Sequence, residues 1–556
     1  MPNPPIPNDT EVLVIGGGIN GISTFRELAL QGVKVVLIER GDFCEGASSA
    51  LSRMVHGGLR YLENGEFRLV QESLKERDRL LRNAPHLVFA LPTIVPLNSW
   101  WKGTVATIAS FLGAKQKSAA RPGMVVRLGL TLYDILSWRS RSLPRHQGLS
   151  RLALSRRVPG ITPNAVGGVL YHDARVTLPE RLGVELLLDA EVAGSALAFN
   201  YTELVSSKDG SLIWRDKFTG ETGDITPRVI VNATGAWVDK VEMILGPNRN
   251  RMRVQGTKGS HLMIRNRELY AALGDQMVYY ENDDGRICIA FNHLGLSMVG
   301  STDIRVDDPD TALCLADEQT YMLAALQGVF PDIAVRDDEI VHVFTGVRPL
   351  PISEAGVTAR ISRDHSVDVD NSGTWPTLTL IGGKWTTFRA FGAEVADAAL
   401  LLLGQSRKVG TENLPIGGGR DFPNKAALPS WIKDHAERHR LPEVRMVNLA
   451  ARYGTRAISA AVFLTAAPDH PLASAPDYSK REIQWLIQSE KVRDLSDILI
   501  RRTSLGIEGR VTDALMDETA AILAETLNWT PAETEASVAR LIATLALRHR
   551  VQPKTT

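Results

Sequence analysis

Between Glu11 and Glu39 the chain reads EVLVIGGGINGISTFRELALQGVKVVLIE, an order that constrains it to a strand, a tight turn, a helix and a second, parallel strand. Val12 to Ile15 is a continuous apolar run rich in β-branched residues, as in a strand buried on both faces. It breaks at Gly16-Gly17-Gly18. Gly16, Gly18 and Gly21 form G-x-G-x-x-G, in which the missing Cβ atoms let a pyrophosphate approach backbone N–H groups at a helix N-terminus. The pattern predicts a helix from about Ile22 to Leu30 and a second buried strand from Val33 to Ile38. That strand ends at Glu39, roughly 20 residues past the glycines, where the ribose hydroxyls of a dinucleotide are expected.

The glycine loop does not choose between FAD and NAD, but the residues that follow do. Ala47 to Ala50, then Ser52-Arg53, then HGGLRYLE at 56–63 give a small-residue approach suited to a flavin's phosphates and ring. Asn20, Arg40, Ser48, Ser49, Ser52, His56, Gly57 and Gly58 therefore join Glu39 and the glycines as candidate cofactor residues. The strand Val229 to Val231 runs into Asn232-Ala233-Thr234-Gly235. A small turn of that kind, with Ala233, Thr234 and Gly235 at a second strand end, favours FAD over NAD. Near residue 380, Leu378 to Ile381 ends in Gly382-Gly383-Lys384, with Thr386 and Thr387 opening a helix from Phe388 to Leu403. A glycine pair, a lysine and threonines at a helix N-terminus suit an anion or a carbonyl oxygen. The spacing is not that of a P-loop.

A chain of 556 residues exceeds one ordinary core, so several domains are expected. Its 63 basic and 63 acidic residues cancel, which argues against a nucleic-acid partner. Cys44, Cys288 and Cys314 are too few and too far apart for a disulfide framework or a cysteine metal site, and no histidine spacing suggests a metal. The start, MPNPPIPNDTE, has neither a basic nor an apolar leader region, and no window approaches the ~18 uncharged apolar residues of a spanning helix. A soluble or peripheral protein is expected. Residues 98–138 mix Trp100-Trp101-Lys102, apolar runs and basic side chains, a pattern that fits either a membrane-surface contact or a buried helical hairpin.

The segment GGGINGIS, followed by SS-x-x-S and HGGLRYLE, resembles the FAD-dependent glycerol-3-phosphate dehydrogenases of the D-amino acid oxidase-like flavoprotein superfamily. The resemblance continues through V-G-S-T-D, G-V-R-P-L and S-R-D to YSKREIQWLI, DILIRRTSLG and ETLNWT near the end. It implies an α/β fold: a Rossmann-type, glutathione reductase-like FAD-binding domain, an antiparallel β substrate or cap domain, and a C-terminal α-helical domain. The expected division gives 1–95, 166–250 and 352–405 to the FAD-binding domain and 96–165 to a cap or membrane-contact segment. Residues 251–351 would form the substrate sheet, 406–425 a linker and 426–556 the helical domain. Ser479-x-x-Glu482 and Thr530-Pro531-Ala532-Glu533 read as capping boxes within the last of these.

The chemistry implied is oxidation of sn-glycerol 3-phosphate to dihydroxyacetone phosphate, with electrons passed to a membrane quinone. The protein would be cytoplasmic, peripheral on the inner face of the cell membrane, with a homodimer left open. A phosphorylated substrate needs fixed cations, and Arg60, Arg348 and Arg363 stand in motif loops with Tyr61 and Ser301 beside them. The family pattern commonly has threonine where this chain has Ser301. Removing the hydroxyl proton calls for a base, for which His56 and His261 are the candidates, and Lys384 would hold the flavin N1–C2 carbonyl region. The same motifs fit an oxidase that uses O2 and makes peroxide. Other enzymes of the superfamily, or a flavin-binding scaffold with the helical domain as its interaction module, are the remaining readings.

Overall fold

The structure is a computed structural model that describes residues 4–58, 66–99, 123–136, 142–246, 251–282, 284–352 and 364–551. Its first sheet grows from the apolar runs. Asp9–Ile15 pairs in parallel with Val35–Ile38 on one side and with Thr222–Asn232 on the other. Ala196–Phe199 continues the sheet beyond Val35–Ile38, while Thr377–Gly382 and then His365–Asp370 continue it beyond Thr222–Asn232. From Val12 to Ile15 the central strand is apolar at every position because both faces are covered. Val12 and Val14 join the core that contains the helices, whereas Leu13 and Ile15 pack with Trp214, Ile225 and Val241 beneath the meander Thr202–Lys208, Ser211–Asp216, Thr222–Asn232.

The helix Ile19–Leu30 begins a turn earlier than the sequence suggests, directly behind Gly18. It lies between Pro179–Val192 and Phe388–Leu403, so even its charged residues are buried, each with a partner. Arg26 meets Asp189 at 3.1 Å and Glu27 meets Arg407 at 2.7 Å. Residues 406–425, read from sequence as a linker, run over this helix with fixed contacts: Gln31 Nε2 donates to Val409 O and the Ile416 amide to Asn83 O.

The second sheet is antiparallel for most of its width and centres on Val254–Ile264, which pairs along its length with Ile340–Pro351. It then runs through Leu296–Gly300, Ile287–His293 and Met277–Glu281. Val88–Leu97, Gly167–Val176 and Met54–Val55 complete it, so the chain crosses between the two sheets repeatedly. The helix Ala316–Val329 covers one face. Most of the candidate site residues lie at or near these crossings.

Beyond residue 427 the described chain is helical around a core of its own. Thr530 and Glu533 form the expected capping box. Ser479 caps its helix by accepting from the Glu482 amide, but the Glu482 carboxylate does not return to it. Arg445, Arg452 and the Tyr453 hydroxyl take that carboxylate, because it is wholly buried and charged partners stabilise it more than a backbone amide would. Among the described residues, no helix is long and apolar enough to cross a membrane.

Candidate active site

Two cavities meet at the turn Gly382-Gly383-Lys384. The larger, about 590 Å³, runs along the ends of the parallel strands. Gly16 and Gly18, Glu39, Ala233 to Gly235 and the Gly382–Lys384 turn all reach it. Gly16 holds φ +108°, and a Cβ there would lie 2.7 Å from Ala233 O, so only glycine allows the two strand ends to approach. Gly21 serves packing instead: it sits on Gly16 O and Ala233 Cβ rather than on the cleft. Gly383, at φ +98°, would bring a Cβ to 2.8 Å of Asn20 Nδ2.

Glu39 is held at the cleft by two backbone amides, Gly17 N at 2.6 Å and Gly41 N at 2.8 Å. Burial raises its pKa, and these two hydrogen bonds oppose that shift. Arg40 lies over the Trp237 ring at 4.6 Å and pairs with Asp310 at 2.5 Å, which also accepts from Trp237 Nε1. Ser48 Oγ accepts from the Ile19 amide at the start of the glycine-loop helix. Ser49 turns back onto Glu45 O and Gly46 O, away from the cleft. Asn20 Oδ1 is buried with no hydrogen-bond partner among the described residues, on the wall of the same cleft.

The smaller cavity, about 290 Å³, lies between the two sheets. His56, Ser52 and Gly58 enter it from the loop after Ala50, Ser301 and Asp303 from the end of Leu296–Gly300, Arg348 from Ile340–Pro351, and Lys384 and Thr386 from the shared turn. Arg348 meets Asp303 at 3.5 Å. Gly57 is fixed from behind: its amide donates to Tyr133 Oη and to Asp173 Oδ1, both at 3.1 Å. Asp173 is buried and raised in pKa by that burial, against the opposing charge of Arg77 at 3.0 Å. Thr302 is held by Glu318, which also takes Lys258 at 2.6 Å and Ser260 at 3.0 Å, and this network sets Ser301 and Asp303 on the cavity. Thr387 is fully buried and reaches neither cavity.

The two histidines separate. His56 is on the cavity wall, but His261 is not. Its ring is 1% exposed, stacks on Phe344 at 5.0 Å and lies across Gly300, where even a Cβ would collide with it. Burial, with Arg348 and Arg53 nearby, lowers its pKa to about 3, so it stays neutral. Packing gives the reason: His261 lies on the same strand face as Gly259, which meets Arg348, but two positions along it is covered by Phe344 and Gly300. Arg53, read with the flavin approach, is instead a buried partner of Glu180 at 2.9 and 3.0 Å. Arg60, Tyr61 and Arg363 lie outside the described residues, as does most of 98–138. Sequence reasoning missed Asp173, Asp303, Glu318 and Lys258 as supports. Only the polarity of the H-D-A-R and S-T-D runs hinted at the first two.

A cleft bounded by glycine backbone at three strand ends, a ribose-height carboxylate and an unpaired Asn20 oxygen fits a dinucleotide lying along it, its ring end at the shared turn. Fold and site together define an FAD-binding oxidoreductase. A family model described as FAD dependent oxidoreductase matches residues 11–397, and one described as the C-terminal domain of alpha-glycerophosphate oxidase matches 409–534. The chain belongs to the glycerol-3-phosphate dehydrogenase and oxidase family of FAD-dependent oxidoreductases. A glycerol-3-phosphate dehydrogenase of Synechocystis sp. is 32% identical over 521 residues, covering 89% of each chain. A D-erythritol 1-phosphate dehydrogenase of Brucella abortus is 31% identical over 513 residues, covering 89% of this chain and 94% of that one. The fold is shared with the glycerol-3-phosphate dehydrogenase from Bacillus halodurans complexed with FAD, at TM-score 0.74 and 21% identity, covering 97% of this chain and 95% of the other.

Proposed function

We propose that the protein oxidises sn-glycerol 3-phosphate to dihydroxyacetone phosphate and hands the electrons to a membrane quinone. The observation that carries this reading is the convergence of His56, Ser301, Arg348 and Lys384 on one small cavity that shares the Gly382–Lys384 turn with the cofactor cleft. FAD held along the Gly16, Glu39 and Gly382–Lys384 cleft would supply the redox step by taking up hydride from the carbinol carbon. The residues do the rest. Arg348, steadied by Asp303, presents a planar cation to the substrate phosphate, and Arg60 and Arg363 are proposed to complete that site. Ser301 offers a hydroxyl to the substrate. His56, on the cavity wall, takes the alcohol proton as general base. Lys384 places positive charge at the junction of the cavities, where negative charge develops as the cofactor is reduced.

Quinone as acceptor is supported by the surface around the described part of 98–138. The helix Gly123–Leu136 leaves Leu128 66% and Ile135 59% exposed, an apolar face available to a lipid surface. The test is anaerobic addition of glycerol 3-phosphate while the yellow flavin absorbance is followed. Bleaching supports the substrate assignment, and a flavin left oxidised defeats it. D-erythritol 1-phosphate, offered in parallel because one relative is named for it, shows whether the cavity prefers a longer phosphorylated alcohol. Readmitting oxygen or a quinone analogue separately then decides the acceptor: rapid peroxide formation replaces the quinone reading with that of an oxidase.

A further inference from the structure

The helical domain has no motif of its own that binds a small molecule, yet it touches the cofactor site at two places. The first is the loop after Glu39. Asp42, wholly buried in that loop, receives Arg501 Nε at 2.6 Å and both terminal nitrogens of Arg502 at 2.6 and 2.9 Å. Burial alone would make Asp42 a weaker acid, but the two guanidinium groups outweigh it and hold its pKa below the usual range. Consecutive arginines reach one carboxylate because residues Asp497–Arg502 form a turn of π-helix, whose i→i+5 winding rotates successive side chains less per residue than an α-helix does. Arg181 anchors the arrangement from the first domain, through Glu490 and the Arg502 carbonyl. Two of the acids on the cleft flank this clamp: Glu39 accepts from the Gly41 amide, and Glu45 from the amide of Asp42 itself. Any shift of Asp42 therefore moves both.

The second contact is the end of the last helix, Pro531–Arg548. Arg548 lies on the wall of the cofactor cleft, with no carboxylate partner among the described residues. Two other cations of that wall are committed, Arg40 to Asp310 and Lys240 to Asp308 and Asp310, while Lys217 and Lys384 line it as well. The chain just after Arg548 is tied to the substrate sheet. The Val343 amide donates to His549 O at 3.1 Å, His549 Nδ1 meets Val343 O at 2.9 Å, and the His549 ring stacks on His342 at 4.3 Å. Arg550 adds a bond to Gln319 at 2.7 Å. This anchored segment lies past residue 534, where the match to the second family model ends.

We propose that the C-terminal helical domain is a working part of the FAD site: it positions the Glu39–Glu45 loop through Asp42, and it supplies Arg548 as a cation toward the cofactor's phosphates. An arginine fork suits a pyrophosphate, and a clamp made of buried ion pairs fails as a unit when one partner leaves. FAD retention and docking of the helical domain are then reciprocal, each strengthening the other. Arg548 is a binding residue in this account, and Asp42, Arg501 and Arg502 are positioning residues. The inference rests on FAD and is independent of which alcohol is oxidised.

The test uses the full-length holoenzyme and follows the rise in flavin fluorescence after dilution. Arg548→Glu is expected to release FAD about tenfold faster, Arg548→Lys to recover most of the difference, and added salt to narrow it, as for an exposed charge pair. Leu547→Ala, an exposed neighbour, reports on disturbance of the helix end alone. Because Asp42→Asn leaves two buried arginines short of a partner and threatens folding, the clamp is read in the unaltered protein. Amide exchange of residues 497–502 is expected to slow about tenfold when FAD is bound. Release from Arg548→Glu within twofold of the parent, or exchange rates that are the same with and without FAD, overturns the proposal.

Discussion

The cofactor cleft and the substrate cavity share a turn and differ in how they are made. The cleft is largely backbone: glycines and small residues at the ends of Asp9–Ile15, Thr222–Asn232 and Thr377–Gly382 that lie side by side in one sheet. The cavity is made largely of side chains, from loops and strands of both sheets, with supports such as Asp303 beside Arg348 and Asp173 behind Gly57. A backbone site tolerates little because a Cβ has nowhere to go. A side-chain site depends on supports that need not touch the ligand at all. One consequence is that damage to the cleft removes the cofactor, while damage to the cavity leaves a coloured protein that reacts slowly.

The sharpest way to break that contrast is Gly16→Val. A β-branched residue at φ +108° with a Cβ 2.7 Å from Ala233 O costs on the order of 3 kcal/mol or more, so purified protein is expected to carry no flavin absorbance. Retained yellow colour would show that the strand ends part without harm. Next comes His56→Gln, expected to keep FAD but to slow anaerobic bleaching by substrate by roughly 10²–10⁴-fold, the range of a lost general base. Bleaching at the parent rate would move the base elsewhere. Arg348→Ala is expected to raise the KM for glycerol 3-phosphate about 10- to 100-fold with the flavin still bound, as for the loss of charge-assisted hydrogen bonds. An unchanged KM takes Arg348 out of the phosphate site.

The smallest effect separates the two histidines. His261 has a folded pKa of about 3 against roughly 6.5 for an exposed imidazole, so between those values only the unfolded chain takes up its proton. Its contribution to stability is present above pH 6.5 and lost as the pH falls from there toward 3. His261→Phe, which keeps a ring against Phe344, is expected to flatten the fall in stability below pH 6.5 by about 1.4 kcal/mol per pH unit while turnover persists. Denaturant melts at pH 4.5 and 7 read the first quantity. Loss of turnover would restore His261 as a candidate base.

Legibility followed the same division. The strand, glycine loop, helix and Glu39 were readable because they are contiguous and their periodicity is set by local burial. The Ala233–Gly235 and Gly382–Lys384 turns were readable for the same reason, each being a strand end with small residues. His261 and His56 stand in equally suggestive motifs, and only the packing of Phe344 and Gly300 over His261 puts one behind the wall. Glu482 obeys the spacing of a capping box, yet Arg445 and Arg452, distant in sequence, claim its carboxylate. Arg53 lies in the flavin-approach loop, and Glu180, 127 residues on, takes it.

By itself the sequence determined the dinucleotide fold and the preference for FAD, because each is written in short stretches whose neighbours in space are their neighbours in the chain. Tertiary structure decided which histidine faces the cavity, what steadies Arg348 and Gly57, that Arg501 and Arg502 reach Asp42, and that Arg548 reaches the cleft. The physical reason is that a buried charge is stabilised only by a partner brought to within about 3 Å, and for Asp42 and Arg502 that partner is 460 residues away, where no local pattern records it.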